Sequence, residues 1–149
     1  GLQIFDVSDP ASPTLAGQLE TPGVSQGVFA DGDICYVADG PKGIQIVDVS
    51  DPSNPTILAN HDTPGDAEDI VVVDGMAYLA DFNKGLHAID VSDPSAPQFA
   101  GYRITPGVAG SVHVHDGLVY LGDYDGGLWI FRHTPPERSA TNDVWKYYR

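Results

Sequence analysis

Three acidic residues within four positions, Asp66, Glu68 and Asp69 in "TPGDAED", put enough negative charge on one loop to suit a cationic ligand, a metal ion or a basic partner segment. The alternative is a set of solvated loop carboxylates. His113 and His115 in "SVHVHD" stand two apart, so on a strand they share a face. Two imidazoles on one face begin a zinc or copper site, which still needs a third ligand; a histidine packed between layers fits the same position. Asp123 and Asp125 in "DYDGG" are a calcium candidate, and so are the Asp-Ser-Asp-Pro segments at 6, 48 and 90. The segments read better as turns, because Asp and Ser side chains accept backbone N–H bonds two residues on and Pro fixes φ. They also lack the ligand count and terminal Glu of an EF-hand loop. No GxSxG, phosphate-binding loop or dinucleotide fingerprint is present. The carboxylates are too numerous and too regular for one pair to stand out as acid and base, so no catalytic residue is assigned.

The regularity has a period. Gly1, Gly43, Gly85 and Gly127 are each 42 residues apart, as are Thr21, Thr63 and Thr105, each opening a Thr-Pro-Gly. Tyr36, Tyr78 and Tyr120 keep the same step in "YVAD", "YLAD" and "YLGD". The chain is a tandem repeat. Residues that recur with the period answer to the scaffold, whereas those that depart from it are candidates for function. Asp66, Glu68 and Asp69 depart: the matching positions hold Val24, Gln26 and Gly27, then Val108, Gly110 and Ser111.

Each unit contains four short runs rich in β-branched and aromatic residues, such as "EDIVVVD", "MAYLAD", "GLHAIDVSD" and "PQFAGYRI". Asp74-Gly75 between two runs predicts a tight hairpin, and Pro marks strand starts and turns. Helical periodicity is absent. Four antiparallel strands in about 40–45 residues is the period of a propeller blade. Imperfect alternation, as in "IVVV", suits a blade buried on both faces. The expected fold is all-β, a β-propeller segment of about 3.5 four-stranded antiparallel blades. Residues 1–133 carry a partial blade, two full blades and most of a fourth, and residues 134–149 form a tail.

"YVADGPKGIQIVDVSDPSNP" and "YLADFNKGLHAIDVSDPSAP" resemble the LVIVD-type repeat family of β-propellers over about residues 1–133. The resemblance implies a bacterial or archaeal exported, periplasmic or cell-surface propeller and says little about activity. In such a fold the loops carrying Asp66, Glu68, Asp69, Phe82, Tyr124 and Asp125 share the mouth of the central channel. There they are expected to bind.

The net charge of −14 disfavours nucleic acid and anionic membranes. No run reaches the ~20 apolar residues of a membrane helix. Cys35 is the single cysteine, so no intrachain disulfide forms. About 3.5 units fall short of the 4–8 blades of a closed ring, so the chain is expected with more of its own length, another copy or a protein partner. The tail is mildly basic and ends in "DVWKYYR". It is expected to serve as an outer strand or to dock, with Trp145, Tyr147 and Tyr148 as interface anchors. Trp129 is expected against this tail. The function expected is a non-enzymatic binding or assembly scaffold. The alternative is an enzyme or metal-binding propeller with its site at the channel mouth. No cofactor is assigned beyond the calcium and transition-metal candidates above.

Overall fold

The computed structural model describes residues 1–133; the tail residues Trp145, Tyr147 and Tyr148 lie outside the described residues. The 13 strands among the described residues form four antiparallel sheets. A half blade pairs β1 (Leu2–Asp6) with β2 (Thr14–Leu19). The second blade runs β3 (Gly27–Asp31), β4 (Ile34–Ala38), β5 (Ile44–Asp48) and β6 (Thr56–His61). The third repeats it as β7 (Asp69–Val73), β8 (Met76–Ala80), β9 (Leu86–Asp90) and β10 (Gln98–Arg103). The fourth has β11 (Ala109–His115), β12 (Leu118–Asp123) and β13 (Gly127–Arg132). A 3-10 turn at Tyr124–Gly126 is the one helical element among the described residues, and none of their helices is long and apolar enough to cross a membrane.

The blades stack through their faces. Ile70 and Val72 join a core with Tyr36, Ala38, Ile44 and Ile46 of the second blade. Val71, between them, joins the opposite core with Val112, Val119, Leu121 and Phe131 of the fourth. This two-sided burial is why "IVVV" lacks apolar–polar alternation. Trp129 belongs to the same second core, stacked near Phe131 with centroids 6.4 Å apart. It therefore lines a blade interface; the tail against which the sequence expects it lies outside the described residues. Tyr78 closes the same interface at its far end. Burial pushes the Tyr78 hydroxyl up to about 12, and it shares a hydrogen bond with His133 Nδ1 at 2.7 Å. His133 Nε2 then faces Asp74 Oδ2 at 3.4 Å.

The periodic residues have structural work. Gly43 and Gly85 open the third strand of their blades at φ of +64° and +77°. A Cβ there would collide with the carbonyl of His61 or Arg103 on the neighbouring strand, so only Gly fits. In the turns after β1, β5 and β9, the Oδ1 atoms of Asp6, Asp48 and Asp90 accept the Ser8, Ser50 and Ser92 amides at 2.8–2.9 Å. The Asp-Ser-Asp-Pro segments are thus turns closed by their own side chains.

The Thr-Pro-Gly and Tyr-x-x-Asp landmarks meet. Asp39, fully buried after β4, accepts bonds from Thr21 Oγ1 at 2.6 Å, the Gly23 amide at 2.8 Å and Ser25 Oγ at 3.2 Å. Asp81 takes Thr63 Oγ1 at 2.8 Å and the Gly65 amide at 3.1 Å. At Asp123 only the Gly107 amide donates, at 3.1 Å; Asp123 Oδ1 and Thr105 Oγ1 are buried without a partner. Bonds to a buried carboxylate contribute about 1.5–3 kcal/mol each. Asp39→Ala, which removes three such bonds, is therefore expected to cost about 4–5 kcal/mol and Asp123→Ala, which removes one, roughly a third of that. Urea unfolding of both variants checks this, and equal losses would contradict it.

Candidate functional site

The acidic loop expected at the mouth is only partly available to a ligand. Asp66, Glu68 and Asp69 are all half-buried. Asp69 Oδ1 accepts the Ile70 amide at 2.9 Å, and Oδ2 reaches across to the Val112 amide of the next blade at 3.0 Å. That carboxylate ties two inner strands together. Phe82 stands exposed at φ +45°, where the second blade has Gly40 at +57°. Both backbones bridge to the following blade, Phe82 through its carbonyl to the Ala109 amide at 3.0 Å. The bridge requires positive φ, which costs a bulky residue on the order of 1 kcal/mol. Tyr124 and Asp125 sit exposed on the 3-10 turn of the fourth blade; Tyr124 borders a hollow of about 340 Å³ beside Asp123.

His113 and His115 share a face of β11, both exposed, with His115 Nε2 3.3 Å from Asp116 Oδ2. His113 faces away from Val112 and Val114, which occupy the side on which Val71 of the third blade meets the fourth. Among the described residues no three His, Cys, Asp or Glu side chains gather closely enough to hold a metal ion. The first strands of three blades bound a hollow of about 290 Å³ lined by Phe29, residues 70–73 and residues 112–114. Apart from His113 its lining is apolar.

A more developed site lies where the second blade meets the outer half of the third. His61, Asp62 and Pro64 leave the end of β6, Lys84 comes from the turn before β9, β9 and β10 supply His87, Phe99 and Tyr102, and Ile104 follows β10. Together they enclose a cleft of about 230 Å³. Phe99, Tyr102 and Ile104 are 55%, 52% and 60% exposed, so three large apolar side chains surround one concavity. His87 forms its floor at 4% exposure, stacked on Tyr102 at 5.6 Å and 27°. Its Nε2 lies 3.4 Å from Asp81 Oδ2 without a hydrogen-bonding geometry. Burial lowers the His87 pKa, opposed by the Asp81 carboxylate, while burial raises Asp81 against the bonds from Thr63 and Gly65. In both groups loss of water acts against the hydrogen bonds and opposite charge that favour the ionised form.

Comparison of mouth loops alone misses this cleft. Extended to the strands, the same comparison finds it: His87 stands where Gln3 and Gln45 do, Tyr102 where Gln18 and Asn60 do, and Ile104 where Glu20 and Asp62 do. One blade has exchanged three polar residues for two aromatic rings and an aliphatic chain.

The LVIVD repeat matches residues 1–21, 22–63, 64–105 and 106–131 of the chain. Among solved structures, the computationally designed Ika4 protein is similar over 78% of this chain and 98% of its own, at 9% identity and a TM-score of 0.49. No curated protein matches the sequence.

The His87 environment has a consequence for stability. A histidine with a depressed folded pKa takes up its proton in the unfolded chain first. Its contribution is complete above the ordinary value of about 6.5 and declines as pH falls through 6.5 toward the folded value. Asp81, raised from 3.8, contributes in the opposite sense, favouring the fold below 3.8 and losing that contribution as pH rises through its folded value. His87→Gln isolates the histidine, since Gln45 already occupies this place in the second blade and donates to the Lys42 carbonyl. Between pH 7 and 5 the parent chain is expected to lose more stability than His87→Gln in urea titrations. Parallel pH profiles would show that His87 is not held neutral.

Proposed function

The chain belongs to the LVIVD repeat family, and from that premise we propose that it is a non-enzymatic binding propeller whose cleft between the second and third blades takes up a partner. The observation that carries the reading is the cleft itself. Tyr102 and Ile104 interrupt the repeat at solvent-facing positions where the other units carry Gln18, Asn60, Glu20 and Asp62. Large exposed apolar side chains rimmed by polar groups mark interaction sites, and a concavity with few polar groups suits a ligand. Operation at a bacterial or archaeal cell surface, or after export, is part of the proposal. So is membership of a larger ring made with further blades of the chain, another copy or a protein partner. The acidic surface, with 21 acidic against seven basic residues, supports solubility in such a setting and disfavours nucleic acid.

The enzymatic alternative has the His87–Asp81 contact in its favour. Asp81, however, holds the same place as Asp39 and binds the same Thr and Gly donors, so the scaffold already accounts for it. Cys35 offers no alternative nucleophile: burial pushes its thiol up to about 11.

The cleft reading is checked by amide spectra of the full chain titrated with phenol, guanidinium and N-acetylglucosamine. Shifts are expected to concentrate on Lys84, His87, Phe99 and Tyr102. They should vanish in a variant carrying the second blade's residues, His87→Gln, Phe99→Ile, Tyr102→Asn and Ile104→Asp, which remains folded. Shifts gathered instead at Phe29, Val71 and Val112 would move the site to the channel and contradict the proposal.

A further inference from the structure

We propose that the cleft receives an arginine side chain, presented by an exposed peptide segment of a partner protein. This rests on the reading of the cleft as the binding site and names the chemistry of its occupant.

The walls suit a flat cation. Tyr102 turns one face to His87 at 5.6 Å and remains 52% exposed, and Phe99 lies 6.2 Å from it, 55% exposed. Ring faces carry negative quadrupole density, and guanidinium, being planar and weakly hydrated, stacks on them better than ammonium does. Pro64 and Ile104 line the same cleft and offer an apolar track for the methylene stem that precedes the guanidinium.

Charge points the same way. Asp62 lines the cleft, and Asp81 stands beside its floor, close enough to Asp66 that their charges interact. Lys84 is the single Lys or Arg in the lining. Burial favours neutral His87, so the floor does not add a repelling charge at neutral pH. The net charge of −14 steers cationic segments toward the surface as a whole. An anionic ligand would meet the opposite field. A saccharide can stack on the same rings, so maltotriose is tested beside the peptides.

The experiment titrates the full chain, by amide spectra, with blocked Gly-Gly-Arg-Gly-Gly and with analogues carrying citrulline or leucine in place of arginine. Maltotriose is the fourth probe. Citrulline keeps the shape and removes the charge. The arginine peptide is expected to give saturable shifts at Lys84, His87 and Tyr102 with a dissociation constant of about 1 mM or tighter. The citrulline analogue should bind at least ~10-fold more weakly, as loss of a cation–π and ion-pair contact implies. Tyr102→Asn and Asp62→Asn should each weaken the arginine peptide while leaving the remaining spectrum unchanged, and Lys84→Ala should strengthen it. Equal binding of arginine and citrulline, or preferential binding of leucine or maltotriose at the cleft, would overturn the arginine assignment while leaving the cleft as a binding site. Silence of the cleft toward all four probes would overturn both. If a chain ending at residue 141 binds the arginine peptide much more tightly than the full chain, the cleft's occupant is the chain's own basic tail, and the assignment to a partner protein fails.

Discussion

A carboxylate buried at the corner between the second and third strands of each blade, bonded to the Thr-Pro-Gly that enters the same blade, is the contact on which the repeat depends. Asp39 and Asp81 are fully buried, and a buried charge must be surrounded by donors or it destabilises the fold. The Thr hydroxyl and the Gly amide supply those donors from 16–18 residues upstream. The bond therefore fixes where the chain enters a blade relative to where that blade turns. Gly43 and Gly85 follow at a backbone crossing with no room for a side chain, which explains why Thr, Asp and Gly all keep the same 42-residue step. The fourth blade keeps the residues but has only the Gly107 contact, and its Asp123 and Thr105 oxygens remain unmatched.

With entry and corner fixed, residues elsewhere in a blade are constrained mainly by the faces they present. Toward neighbouring blades they must be apolar, as Ile70, Val71 and Val72 are. At the outer strand they face water and are free to change, and there the third blade differs from the second. Tyr102 and Ile104 replace Asn60 and Asp62 without touching the Asp81 lock, so a ligand site can be installed on one blade at little cost to the fold. His87 is the exception, a polar residue buried beside the lock and tied electrostatically to Asp81.

The periodic landmarks made the architecture legible: strand number, hairpin positions, two-sided burial and the turn role of Asp-Ser-Asp-Pro all follow from local chemistry repeated in register. The binding cleft was not legible by the same route. Asp62 belongs to the end of one blade and Tyr102 to the outer strand of the next, and only lateral stacking brings them together. Asp69 looked like a loop carboxylate because its partner, the Val112 amide, lies one blade further on. Phe82 gave no sign of its left-handed backbone, since the bridge that imposes it is made by a neighbouring blade.

Native-state amide exchange at Gly23, Gly65 and Gly107 tests the role of the buried carboxylates most directly. If the lock organises each blade, the Gly23 and Gly65 amides open only with the core and exchange as slowly as the amides of β4 and β8. Gly107, whose acceptor is held by fewer bonds, should exchange faster than either. Rapid exchange at Gly23 and Gly65, while β4 and β8 remain protected, would contradict the account.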